Sequence, residues 1–129
     1  MKKWLVIAVV AVTVFSAMAV GYAEGGAKPE KGIIVGNVIE ITTYAMKGLG
    51  EDTVEGAKHR AETGFPVGIL EDGTGIVWIA TYRHTAPASH LETANELLAE
   101  YVGMKVAAQG LKYTQKGANV VRLSVVSEY

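Results

Sequence analysis

The chain has 129 residues and a mass of 13.7 kDa, with no cysteine, 15 glycines, half of its residues apolar, and 12 basic against 13 acidic side chains. That length holds one domain, and the lack of cysteine excludes disulfide frameworks, thiolate metal sites, thiol nucleophiles, covalent haem attachment and a lipobox anchor. The formal net charge of -1 gives no electrostatic reason to expect nucleic acid, whose binders carry a basic surplus or stripe.

Lys2 and Lys3 open the chain, residues 4–15 are apolar except for Thr13, and Ser16-Ala17-Met18-Ala19 places small residues before a cut after Ala19. This pattern predicts a signal peptide over 1–19, with a second cut available after Ala23. The competing reading is a retained anchor, because residues 4–23 carry no charge and about 20 apolar residues span a bilayer. The expected location is therefore periplasmic or secreted, or membrane-anchored if the segment is retained. Removing 1–19 takes two lysines and no acid, leaving a mildly acidic domain of formal charge -3. Residues 20–31 read as a linker and 32–129 as the domain.

Residues 32–45 are rich in β-branched side chains and predict a long strand, with Ile33, Val35, Ile39 and Ile41 on one parity and Glu40, Thr42 and Tyr44 on the other. Gly36 within it predicts a bulge or bend. After a loop over 46–50, Asp52 and Glu55 suggest an N-cap and N3 pair for a short helix with Val54, Ala57 and Ala61 on one face, stopped by Gly64 and Pro66. Residues 65–70 and 75–83 then predict a hairpin across Glu71-Asp72-Gly73-Thr74.

Following a loop that contains Pro87, Ser89 and Glu92 form a capping-box pattern ahead of Leu91, Ala94, Leu98 and Tyr101, which recur at helical spacing up to Gly103. Residues 104–114 and 119–127 predict a final strand pair across Gln115-Lys116-Gly117-Ala118, Val121, Leu123 and Val125 alternating with Arg122 and Ser124. Five strands with a helix between the third and fourth give the layout of a mainly β, OB-fold-like barrel with two short helices. The alternative is an open α+β sheet; closure is preferred because short, glycine-punctuated strands otherwise leave exposed edges.

Gly36-Asn37-Val38-Ile39-Glu40 with Tyr44, Gly64-Phe65-Pro66-Val67-Gly68, Tyr101-Val102-Gly103-Met104-Lys105-Val106 and Gly110-Leu111 are punctuation motifs spread over most of the domain. In these the chain resembles a group of small exported bacterial OB-like proteins, mostly of unknown function. Many members of that group carry a cysteine before the strand-one tyrosine and a Cys-Ala-x-x-Cys helix motif, which implies metal or redox use. The matching positions here are Thr43 and Gly56-Ala57-Lys58-His59-Arg60, so the soft ligands are replaced.

His59, His84 and His90 lack the spacing of a metal site, and the acids Glu51, Asp52 and Glu55 are accounted for by the electrostatics of a helix start. No catalytic residue is assigned: Ser89 and His90 are neighbours in sequence, which is not a geometric pair, and no nucleophile-elbow, zincin or dinucleotide motif occurs. The aromatic residues carry more. Trp78 and Tyr82 share a parity on the third strand, and OB folds use the face of strands two and three for oligonucleotides or oligosaccharides. Tyr44, Arg83 and His84 would rim that face, and His59 with Arg60 and Lys58 forms a small basic spot. The opposing interpretation places Trp78 in the core. The sequence thus predicts a non-enzymatic exported binding module without a cofactor, its ligand an exported protein or a glycan. A metal- or cofactor-handling accessory of the cell envelope is the other class.

Overall fold

A computed structural model describes residues 25–50, 52–82 and 93–129. Five strands, β1 (Glu30–Glu40), β2 (Val67–Glu71), β3 (Val77–Tyr82), β4 (Lys105–Gln115) and β5 (Ala118–Glu128), close into a barrel in the order β1-β2-β3-β5-β4. Only β3 and β5 run parallel. Three helices, α1 (Ile41–Lys47), α2 (Val54–Glu62) and α3 (Ala94–Leu98), and a 3-10 turn (Ala99–Tyr101) complete the described fold. The closed mainly β barrel predicted from the sequence is present, with one helix more than expected.

The core runs through the barrel as Ile34, Val38, Val67, Ile69, Trp78, Ala80, Val106, Ala108, Val121 and Leu123. It continues into Ala57, Ala61, Ala94, Leu98, Ala99 and Val102, so the helices close the barrel end at which β3 finishes and β2 begins. These side chains come from alternate positions of each strand, as a barrel interior requires.

In β1 the inward parity is Ile34, Gly36, Val38 and Glu40, which corrects the set expected from the pattern. Ile33 is 64% exposed, although Ile39 is buried where α1 and the loop after it cover the outer face. Hydrophobicity alone points either way in a strand with apolar residues on both parities; the register with β2 and β4 decides. Gly36 and Asn37 are the positions at which β1 pairs with both neighbours. A Cβ at Gly36 would lie 2.1 Å from the Leu70 carbonyl oxygen, and Gly68 and Gly110 are equally close to backbone. The strands can cross at this corner only without a side chain. Gly36→Ala is accordingly expected to cost about 1–3 kcal/mol or more, read from urea denaturation, because backbone must move.

The strand predicted over 32–45 stops at Glu40 because that residue caps a helix. Its carboxylate accepts the Thr43 backbone N–H at 2.8 Å, and α1 follows where strand and loop were expected. Gly48, at φ +73°, ends the helix with its N–H donated to the Tyr44 carbonyl. The α2 cap is Thr53, one residue after the predicted Asp52; its hydroxyl accepts from the Gly56 N–H at 3.0 Å. Similarly, α3 is capped by Thr93 accepting from the Glu96 N–H at 3.2 Å, so a Thr-x-x-Glu pair starts the described helix. Ser89, His90, Leu91 and Glu92 lie outside the described residues. Asn95 joins the two helices, its amide donating to the carbonyls of Ala61 (2.8 Å) and Phe65 (2.6 Å) at the C-terminal end of α2.

The last hairpin turns through Lys116 and Gly117, both at positive φ, the two-residue geometry that matches strand twist. A register shift between Gln109 and Gly110 skips Ser124, because Gly110 pairs with Leu123 and Gln109 with Val125. The bulge reverses the parity of β5. Val126 thereby packs against the core while Val125 is exposed, contrary to the uninterrupted alternation read from the sequence.

Candidate functional site: the cleft beside a buried carboxylate

Where β1 ends inside the fold, Glu40 is 2% exposed. A carboxylate at such a depth needs partners, and the local sequence supplies them. The Thr43 hydroxyl donates to Oε1 at 2.5 Å and its backbone N–H to Oε2, while Arg60 on α2 donates Nε to Oε1 at 2.7 Å. The same guanidinium reaches Asp52 through Nη2, and Asp52 also accepts the Thr53 N–H at 2.9 Å. Burial pushes the Glu40 carboxyl up, but the hydrogen bonds from Thr43 and Arg60 together outweigh it, leaving the carboxyl below its ordinary range. Its hydrogen bonds to Asp52 and Glu40 raise Arg60 further above its ordinary range, so the group remains a cation. The cluster is a closed set of paired charges that ties β1 and α1 to α2.

Next to it lies a cleft of about 70 Å³ between α1, α2 and the segment after the 3-10 turn. Val38, Ile39, Leu49, Val54, Ala57 and Val102 supply its apolar lining, with Gly103 and Tyr44 at its sides. Gly103, at φ +85°, packs so closely that a Cβ there would meet Val54 Cγ2 at 2.9 Å. Leu49 and Val54 are exposed, so the apolar lining reaches the surface at the mouth of the cleft. The carboxylates of Glu40 and Asp52 border it already engaged by Arg60 and Thr43. What the cleft offers a visitor is therefore shape and apolar contact.

The predicted site residues separate in space. Tyr44 lines the cleft from α1, and Arg60 is next to it but committed to two carboxylates. His59 is exposed on α2. Trp78 is 4% exposed and belongs to the core, which corrects its placement on an open stacking face. Tyr82, half-buried at the end of β3, packs against the same core and borders a separate depression with Leu111 and Arg122. Arg83 and His84 lie outside the described residues. The parity argument for Trp78 and Tyr82 was sound, but their shared face points into the barrel.

The sequence pattern places Glu40 on a strand and Asp52 at a helix cap and assigns neither to a site, although Glu40-x-x-Thr43 has the spacing of a side-chain cap. Leu49, Val54 and Gly103 carry no local signature, since they meet only after the chain has closed. Thr43, Gly56 and Arg60 converge. Thr43 and Arg60 share one oxygen of Glu40, and a Cβ at Gly56 would stand 3.1 Å from Arg60 Nη1. In this chain a hydroxyl, a carboxylate and a guanidinium occupy that space. Among the described residues no group of three or more His, Asp or Glu side chains is arranged to hold a metal ion. Comparisons with protein-family models, curated proteins and solved structures gave no match for this chain.

Proposed function

We propose that the protein is an exported, non-enzymatic binding module that receives an apolar side chain of a partner protein in the cleft between α1, α2 and Gly103. One observation carries this reading: the cleft is apolar, opens to solvent, and the charged groups bordering it are already paired with one another. A polar or charged visitor would have to compete with those pairs, whereas an aliphatic group gains burial at about 25 cal/mol per Å² without breaking any. The exposed Leu49 and Val54 at the opening offer the partner further apolar contact. A protein partner is favoured over a glycan because Trp78, the ring best suited to stack on a sugar, is in the core. Export follows from the charge, length and small-residue pattern of residues 1–23.

Titration of the 15N-labelled protein with N-acetyl-leucine amide tests the reading. Saturable amide shifts are expected at Leu49, Val54 and Gly103, and Val54→Asp, at an exposed position, is expected to remove them while the thermal midpoint stays within a few degrees. Shifts spread evenly over the barrel, or none at all, would contradict it.

A further inference from the structure

The barrel end opposite the helices has a different chemistry. Strands β1, β4 and β5, at 11 residues each, outrun β2 and β3, at 5 and 6. Past the core, the inward parity of β1 and β4 therefore continues into Glu30, Gly32, Lys112 and Thr114. Glu30, Lys112 and Thr114 wall a basin of about 410 Å³ over Trp78, which Lys28 and Gln115 also line. Mouths of β-barrels are recurrent ligand positions.

Lys112 is the central group. Its stem lies over Gly32, where a Cβ would meet Cδ at 3.0 Å, and its ammonium sits 5.1 Å from the centre of the Trp78 ring. A cation over an aromatic face is held in place without losing its charge. The indole N–H donates to Glu71 at 3.4 Å, and Glu71 also accepts the Thr74 hydroxyl at 2.6 Å. That carboxylate is thereby turned to the hairpin. Lys28 and Lys112 both line the basin. Glu30 alone among the basin's lining residues is acidic.

We infer that this mouth binds a phosphate-type oxyanion, free or carried on a larger molecule, with Lys112 and Lys28 supplying charge and the Thr114 hydroxyl a hydrogen-bond donor. Lysine meets phosphate as a point charge, and neutral donors complete its coordination. This site is independent of the apolar cleft at the helical end.

The Trp78 indole, under Lys112, is the reporter. In the full chain carrying Trp4→Phe, its indole 15N–1H signal is followed during titration with inorganic phosphate and, separately, with glycerol 3-phosphate, at constant ionic strength. Saturable shifts in the millimolar range or tighter are expected. They should weaken at least fivefold in Lys112→Gln and strengthen in Glu30→Gln, while thermal unfolding of both variants stays cooperative. Tighter binding of glycerol 3-phosphate assigns the site to a phosphate ester, and equal binding assigns it to the free anion. The inference is overturned if neither compound gives a saturable shift, or if Lys112→Gln and the parent respond alike.

Discussion

Trp78→Ala is expected to destabilise the protein by about 3–5 kcal/mol, the usual cost of truncating a buried aromatic residue. The ring occupies the core at the point where the helices no longer cover the barrel, and it carries two further interactions, the Glu71 acceptor and the Lys112 ammonium. Truncation would leave a cavity and uncover the barrel interior at that end. Trp78→Phe keeps an aromatic floor but loses the N–H, so a smaller loss is expected. Far-UV circular dichroism in a urea series measures both, and a loss under about 1 kcal/mol for the alanine variant would mean the ring is not a core element. In a Trp4→Phe background the remaining emission should be blue and protected from iodide.

The second large effect concerns Glu40. Arg60 is partly exposed and keeps Asp52, so the cost of Glu40→Ala is that of a lost helix cap and a lost charge-assisted hydrogen bond, about 2–3 kcal/mol. The same change removes the cap of α1 and one of the two carboxylates that hold Arg60, so α1 and the apolar cleft should loosen together. Hydrogen exchange at residues 43–47 reads this directly; unchanged protection there would show that the carboxylate does not hold the helix.

The pH dependence has a definite sign. Because the folded Glu40 carboxyl sits below its ordinary value of 4.5, its contribution is fully present above that value and is lost as pH falls through the lower folded one. The parent should therefore lose stability below about pH 4.5, and Glu40→Gln, less stable at neutral pH, should lose less on acidification. Parallel pH profiles for the two proteins would assign the acid sensitivity to other carboxyls.

The two sites set different requirements on the same barrel. At the helical end, charges are neutralised within the fold and leave an apolar opening; at the other, strands overrun the core and expose inward-facing polar side chains around a tryptophan floor. Substitutions at one end should leave ligand response at the other unchanged, as expected for positions without shared partners.

Strand number and the helix between β3 and β4 were legible in the sequence because β-branched runs, Asp-Gly and Lys-Gly turns and the spacing of Ala94, Leu98 and Tyr101 are local signals. The tight turns at Gly73 and Gly117 were placed to within a residue or two for the same reason. What the sequence could not determine was which face of a strand points inward. In β1 both parities are apolar, so inter-strand register selected Ile34 and Val38 over Ile33 and Val35, and in β5 a bulge exchanged Val125 for Val126. The same ambiguity left Trp78 between a binding surface and the core until the closed barrel placed it inside. Glu40 is the clearest case: 12 residues separate it from Asp52 and 20 from Arg60. Their union depends on α2 folding back over the end of β1, a long-range contact that no local pattern encodes.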